Sequence, residues 1–112
     1  LIMGAGAAGS TQTANATGNT ALDFATYQNF LLTATGNVTL TNPSTETVGQ
    51  SGFIVIKQDG TGSRTLSIGT QYVTVGDGTY TLSTAANAID LIPYVVQADG
   101  VILLGNPSLA FA

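Results

Sequence analysis

Phe53-Ile54-Val55-Ile56-Lys57-Gln58, then Asp59-Gly60-Thr61-Gly62-Ser63, then Arg64-Thr65-Leu66-Ser67-Ile68, decides how the rest of the chain is read. The first run is almost continuously apolar and β-branched, as expected of a strand covered on both faces. Glycine and aspartate then interrupt it, and a second β-rich run follows. A plain hairpin loop, with glycines supplying positive φ, is the expected link between the two.

The same grammar extends in both directions. Asn29 to Ala34 makes one run, and Gly36-Asn37 reads as a tight turn into Val38 to Thr41. Val38 and Leu40 share one face by period-two alternation. Asn42-Pro43-Ser44 ends that run, because proline brings no ladder donor. Downstream, Asp77-Gly78 separates Tyr72 to Val75 from Thr79 to Leu82. Ala88 to Ala98 is the longest run, and its Pro93 implies an edge position or a bulge. Asp99-Gly100 is a two-residue hairpin signal leading into Val101 to Leu104. The tail, Asn106 to Ala112, places Leu109 and Phe111 at alternating positions. No amphipathic helix is legible, and Ala85-Ala86-Asn87-Ala88 offers a single helical turn at most. Short runs at this spacing predict an all-β fold, an antiparallel β-sandwich of jelly-roll type with about eight strands. Residues 4–19 are almost entirely Gly, Ala, Ser, Thr, Asn and Gln without apolar periodicity. The expected organisation is therefore a flexible arm over residues 1–19 and a β-sandwich domain over 20–112.

Composition narrows the function more sharply than it narrows the fold. The chain has 112 residues, no His, no Cys, Lys57 and Arg64 as its only cations, and six carboxylates. Charged residues make up 7%, against about a quarter in ordinary soluble domains. A net charge of −4 argues against nucleic acid and anionic membrane surfaces, which need clustered Lys and Arg. Without Cys there is no disulfide and no thiolate metal site. Without His, a nucleophilic hydroxyl lacks its usual base. Lys57 could serve a Ser–Lys pair only in principle, since no S-x-x-K spacing accompanies it. Leu1-Ile2-Met3 ahead of the Gly/Ala run lacks the cationic start and apolar length of a signal peptide.

Individual motifs yield little chemistry. Gly4-Ala5-Gly6-Ala7-Ala8-Gly9 matches G-x-G-x-x-G, but no strand precedes it, no helix follows, and no βαβ unit exists to hold a pyrophosphate. Asp59, with Asp77 from another loop, could offer oxygens to calcium, though one carboxylate per loop is too little charge. Arg64 and Asp90 are the charges most embedded in apolar strand sequence, and they read as a ligand-binding ion pair or, more commonly for such a pair, as a structural pair or two solvent-facing side chains on a sheet. Asn15-Ala16-Thr17 and Asn37-Val38-Thr39 match a glycosylation sequon, which Thr/Asn-rich chains produce freely. Tyr27, Phe30, Tyr72, Tyr80 and Tyr94 are either core and rim packing or a platform for sugars. No catalytic residue, cofactor or metal site is expected.

Two stretches are specific enough to compare with known families. One is Gly49-Gln50-Ser51-Gly52 through the Phe53–Leu66 sequence quoted above. The other is Thr81-Leu82-Ser83-Thr84-Ala85-Ala86-Asn87-Ala88-Ile89-Asp90-Leu91-Ile92-Pro93-Tyr94-Val95-Val96. With Asn37-Val38-Thr39-Leu40, they resemble a β-rich module recurrent in tailed-bacteriophage virion proteins of decoration-like or tail-fibre-like type. The chain departs from that module at Thr70-Gln71-Tyr72, where such modules often carry Trp. The resemblance implies a non-enzymatic protein of the virion particle surface, assembled as a homotrimer. The leading expectation is a capsid decoration (cement) protein with the major capsid protein as partner. The alternative is a tail-fibre or spike module recognising a host-surface glycan.

Overall fold

The computed structural model describes residues 10–77 and 80–111, and in it eight strands form one curled, open sheet. They are β1 (Thr11–Thr20), β2 (Asn29–Leu40), β3 (Ser51–Gln58), β4 (Leu66–Ile68), β5 (Tyr72–Val73), β6 (Ile89–Ala98), β7 (Val101–Leu104) and β8 (Ser108–Phe111). A single 3-10 turn, Val75–Asp77, interrupts them. The all-β expectation holds, and the two-sheet antiparallel jelly roll is not the arrangement found.

The difference lies in how the runs are joined. β1, β2 and β3 are mutually parallel, and β4 is parallel to β2 as well. Gly36-Asn37 is not a hairpin but a corner inside the continuous strand β2. The first leg of β2 pairs with β3 (Phe30↔Ile54) and its second leg with β4 (Val38↔Leu66). β1 turns the same corner through a register shift between Ala16 and Gly18. Gly36 fits there because a Cβ would lie 2.2 Å from Thr17 Oγ1. In the third turn of the chain, Asp59 to Thr65 is again a corner and not a hairpin loop. Turn punctuation between two β runs serves a hairpin or a corner equally well, and only the ladder partner decides which.

Parallel strands usually return through a helix. Here extended loops do it. Between β1 and β2 the chain returns along residues 21–28 and buries Leu22 and Phe24 as it goes. Such a segment spans about 30 Å at most, and a Tyr27 N–H to Asp23 O bond of 3.0 Å shortens it further. A flat ten-residue strand measures roughly 33 Å, so β1 and β2 cannot be flat. They curl until their ends come within reach of the return. The Gln50 side-chain amide donates to Phe24 O (3.2 Å) and Tyr27 O (3.0 Å), tying the second return to the first.

Inside the curl, the ladders stack side chains in rows. Gln12, Phe30 and Ile54 form one row; Ala14, Leu32 and Ile56 the next; Ala16, Ala34 and Gln58 the third. Past the corner the rows are Gly18–Val38–Leu66 and Thr20–Leu40–Ile68. Large side chains on β2 and β3 face small ones on β1, so the core tapers towards β1. Thr11–Asn19, assigned to the arm by composition, thus belong to a strand whose β-branched threonines suit it. Residues 1–9 of the expected arm lie outside the described residues.

β6 joins antiparallel to β3 (Ile54↔Ile92, Ile56↔Asp90), and the Asp99-Gly100 hairpin leads into β7 as expected. Pro93 sits within this interior strand and not at an edge. Pro93 O accepts from Gly105 N–H (2.9 Å), so its donorless nitrogen faces the same side. β7 pairs only as far as Tyr94↔Leu104, and β8 takes over at Leu91↔Ser108. Pro93 falls in the gap, where no ladder donor is needed.

The third corner is held by two polar side chains. Gln58 is buried (2% exposed), accepts from Arg64 N–H at 3.0 Å, and donates to Arg64 O (3.0 Å) and Ser83 O (2.9 Å). Asp59 accepts from the Thr61 and Gly62 amides and pairs with the Arg64 guanidinium at 2.9 Å. Gly62 is required twice over: its φ is +75°, and a Cβ would lie 2.5 Å from Thr84 O. Gln58→Leu leaves one donor and two acceptors without partners and is expected to cost roughly 2–5 kcal/mol in denaturant unfolding. A cost below about 1 kcal/mol would show that the corner stands without it.

The Arg64 hydrogen bond, aided by the Gly62 amide, holds the Asp59 carboxyl at about 2, below its ordinary 3.8. A depressed folded-state value stabilises above the unfolded value and is lost as pH falls through the folded one. Thermal melting should therefore decline between about pH 4 and pH 2. Asp59→Asn should melt lower at pH 6 and show less of that acid decline; equal slopes would exclude this pair as a cause.

Candidate functional surface

The charged residues singled out in the sequence do not assemble a reactive site. Arg64 pairs with Asp59 and not with Asp90. Asp90 is buried (1% exposed) on the inner side of β6, where it accepts from Ser83 N–H (2.7 Å) and Ala110 N–H (2.9 Å). Its work is to fasten the strand-free segment before β6 and the closing strand β8 to the sheet. The Asp59 loop, weighed for calcium, directs two amide N–H groups and a guanidinium at its own carboxylate, a donor set that repels a cation. Asn37, in one of the two sequons, uses its side-chain oxygen to hold Thr65 N–H at 3.1 Å.

The aromatic residues divide differently from the sugar-platform reading. Phe24, Phe30 and Tyr94 form an interior cluster, with Phe24 and Tyr94 edge-to-face at 5.3 Å. Tyr94 donates its hydroxyl to Gln28 O, and burial pushes its phenol up to about 12. Tyr72 is buried as well, and desolvation, with Glu46 nearby, raises its phenol far above the ordinary value. Tyr80 is half-buried and donates to Gly105 O. These rings face inward or along the rim, so they serve packing and present no stacking surface.

The outward side of the sheet is what stands out. Alternation that buries Phe30, Ile54, Ile92 and Ile102 turns the intervening residues to the other side. Leu31, Val55 and Leu91 fall in one register row, Phe53 and Pro93 in a second, and Val95 and Leu103 in a third with Ser51. Leu31 is 41% exposed, Phe53 49%, Val95 40% and Leu103 38%. At the β7 side, Val75, Pro93, Val95, Leu103 and Gly105 line a shallow groove of about 340 Å³. Lys57, in the row of Thr33 and Ile89, is the single charge on these rows.

The sequence reading takes Phe53–Gln58 as covered on both faces and so passes over this surface. The signal is present: apolar residues occupy both alternation phases of β3 and β6. What covers the second phase cannot be read from one chain. Burial at Ile54 and Ile56 satisfies one phase, and Phe53 and Val55 are left for whatever lies outside.

Comparison with known families gives a match over most of the chain. The family model described as "Putative phage tail fibre C-terminal domain" matches residues 6–101. No curated protein and no solved structure matches the chain. The chain belongs to that family, and with it to the structural components of the phage virion.

Proposed function

We propose that, as a phage tail fibre C-terminal domain, this chain is a non-enzymatic module of the tail fibre or spike that assembles as a homotrimer and contacts a host-surface glycan. The observation that carries the tail reading is the family match over residues 6–101. It favours the tail over the shell, so the capsid decoration reading, with the major capsid protein as partner, gives way to the alternative.

The surface chemistry supports a role in contact and not in reaction. The corner of the curled sheet presents exposed Thr17, Thr35, Asn37, Ser63 and Thr65. Neutral hydroxyls and amides of this kind can exchange hydrogen bonds with sugar hydroxyls without bringing in charge. The inward placement of Tyr72 and Tyr94 moves any glycan contact away from those rings and towards these polar positions.

Copy number tests the location. Quantitative peptide counting against the major capsid protein should give roughly three to a few dozen copies per particle, in keeping with a tail oligomer of closed symmetry. Hundreds of copies near a simple ratio to the shell protein would return the chain to the capsid. Purified chain should also compete with whole phage for adsorption to host cells.

A further inference from the structure

We infer that the outward face of β2, β3, β6 and β7 is the surface through which copies of this chain meet one another, Phe53 of one copy seating in the groove of the next. The inference rests on the reading of the chain as a self-assembling fibre module and names the surface that reading needs.

Size and chemistry both bear on the occupant. Four strands at about 4.8 Å spacing, over about 20 Å of their length, give a plane on the order of 400 Å². A contiguous apolar patch of several hundred Å² on a small domain marks an interaction site. It is about half of the ~800 Å² that each side of a stable interface contributes. A flat contact between two such faces falls short, and a knob entering a groove makes up the shortfall. Both parts are present and adjacent: Phe53 stands opposite Pro93 in the ladder, and Pro93 forms a wall of the groove beside Val95, Leu103 and Val75.

Charge selects a second copy over other partners. The chain carries a net charge of −4, so copies repel across any acidic surface. None of the six carboxylates falls in these register rows. Two copies can meet across these strand rows without burying a carboxylate of the rows themselves. On these four strands a glycan finds a single hydroxyl, that of Ser51, in the three rows that hold Leu31, Phe53 and Val95, too few donors and acceptors to recognise a sugar. An anionic lipid surface finds one lysine at the margin of an acidic molecule. Repeated head to tail, a Phe53-to-groove contact closes by forming a ring of copies.

Sedimentation equilibrium of the full chain tests this. The wild-type chain should sediment at a multiple of its 11.3 kDa mass. Phe53→Lys should weaken self-association by at least about 100-fold, as the loss of a central anchor does. Val48→Lys, at an exposed apolar loop position outside these four strands, should leave the mass unchanged. Far-ultraviolet circular dichroism should show both variants folded as the wild type. A wild-type monomer at every concentration, or a Phe53→Lys variant of unaltered mass, would overturn the proposal. A photo-crosslinker at position 53 that captures a different virion protein in the particle, and no second copy, would overturn it too. Copy number per virion is independent of these outcomes: a low count with a monomeric chain leaves the tail reading standing and removes only the interface.

Discussion

Each turn of this chain must close within the length of its own return loop, and the rest of the architecture follows from that constraint. Parallel strands without helices leave only short extended segments to carry the chain back. The strands therefore bend at Ala16–Gly18, at Thr35–Asn37 and between Gln58 and Leu66. Bending brings Leu22 and Phe24 of the first return against Phe30 and Tyr94, which gives the curl its interior. The corners in turn need backbone partners that a regular ladder does not supply. Gln58, Asn37 and Asp59 provide them from side chains.

A sheet that curls around one core has an inside and an outside, and among the described residues only the inside is closed. That asymmetry explains why residues as apolar as Phe53 and Leu31 remain exposed while Phe30 and Ile54 are fully buried one position away. A chain with 7% charged residues has few charges with which to guard such a face or a strand edge. If copies meet through that face, as proposed, the same economy of charge lets them approach without desolvating ions. The acids with resolved surroundings are engaged in fastening corners and strand ends, as Asp59 and Asp90 show.

Much of the local structure was legible. β3, β6 and the Asp99-Gly100 hairpin are where the apolar runs and turn residues place them. The phage resemblance, drawn from Gly49 to Leu66 and Thr81 to Val96 with Asn37 to Leu40, agrees with the family match. Legibility failed wherever a partner from another part of the chain decided the outcome. Thr11–Asn19 reads as an arm because its own residues bury little; it is a strand because Phe30, Leu32 and Ala34 offer it a ladder and a row to complete. Arg64 and Asp90 looked like a pair because both are isolated in apolar sequence, yet Asp59 is five residues from Arg64 and reaches it first.

What the sequence determined by itself was the class of backbone and the narrow set of side-chain types the chain has to work with. β-branched and aromatic runs punctuated by glycine, asparagine and aspartate specify strands, and a chain without His or Cys lacks the usual catalytic and metal-binding groups. Tertiary structure alone decided that glycine-rich punctuation would make corners, that the first four strands would run parallel, and that one apolar face would be left outside among the described residues. The physical reason is that turn residues fix where the backbone changes direction but not which strand it then lies beside. That choice belongs to the ladder hydrogen bonds and to the rows of side chains stacked within the curl, and both are made between residues far apart in the chain.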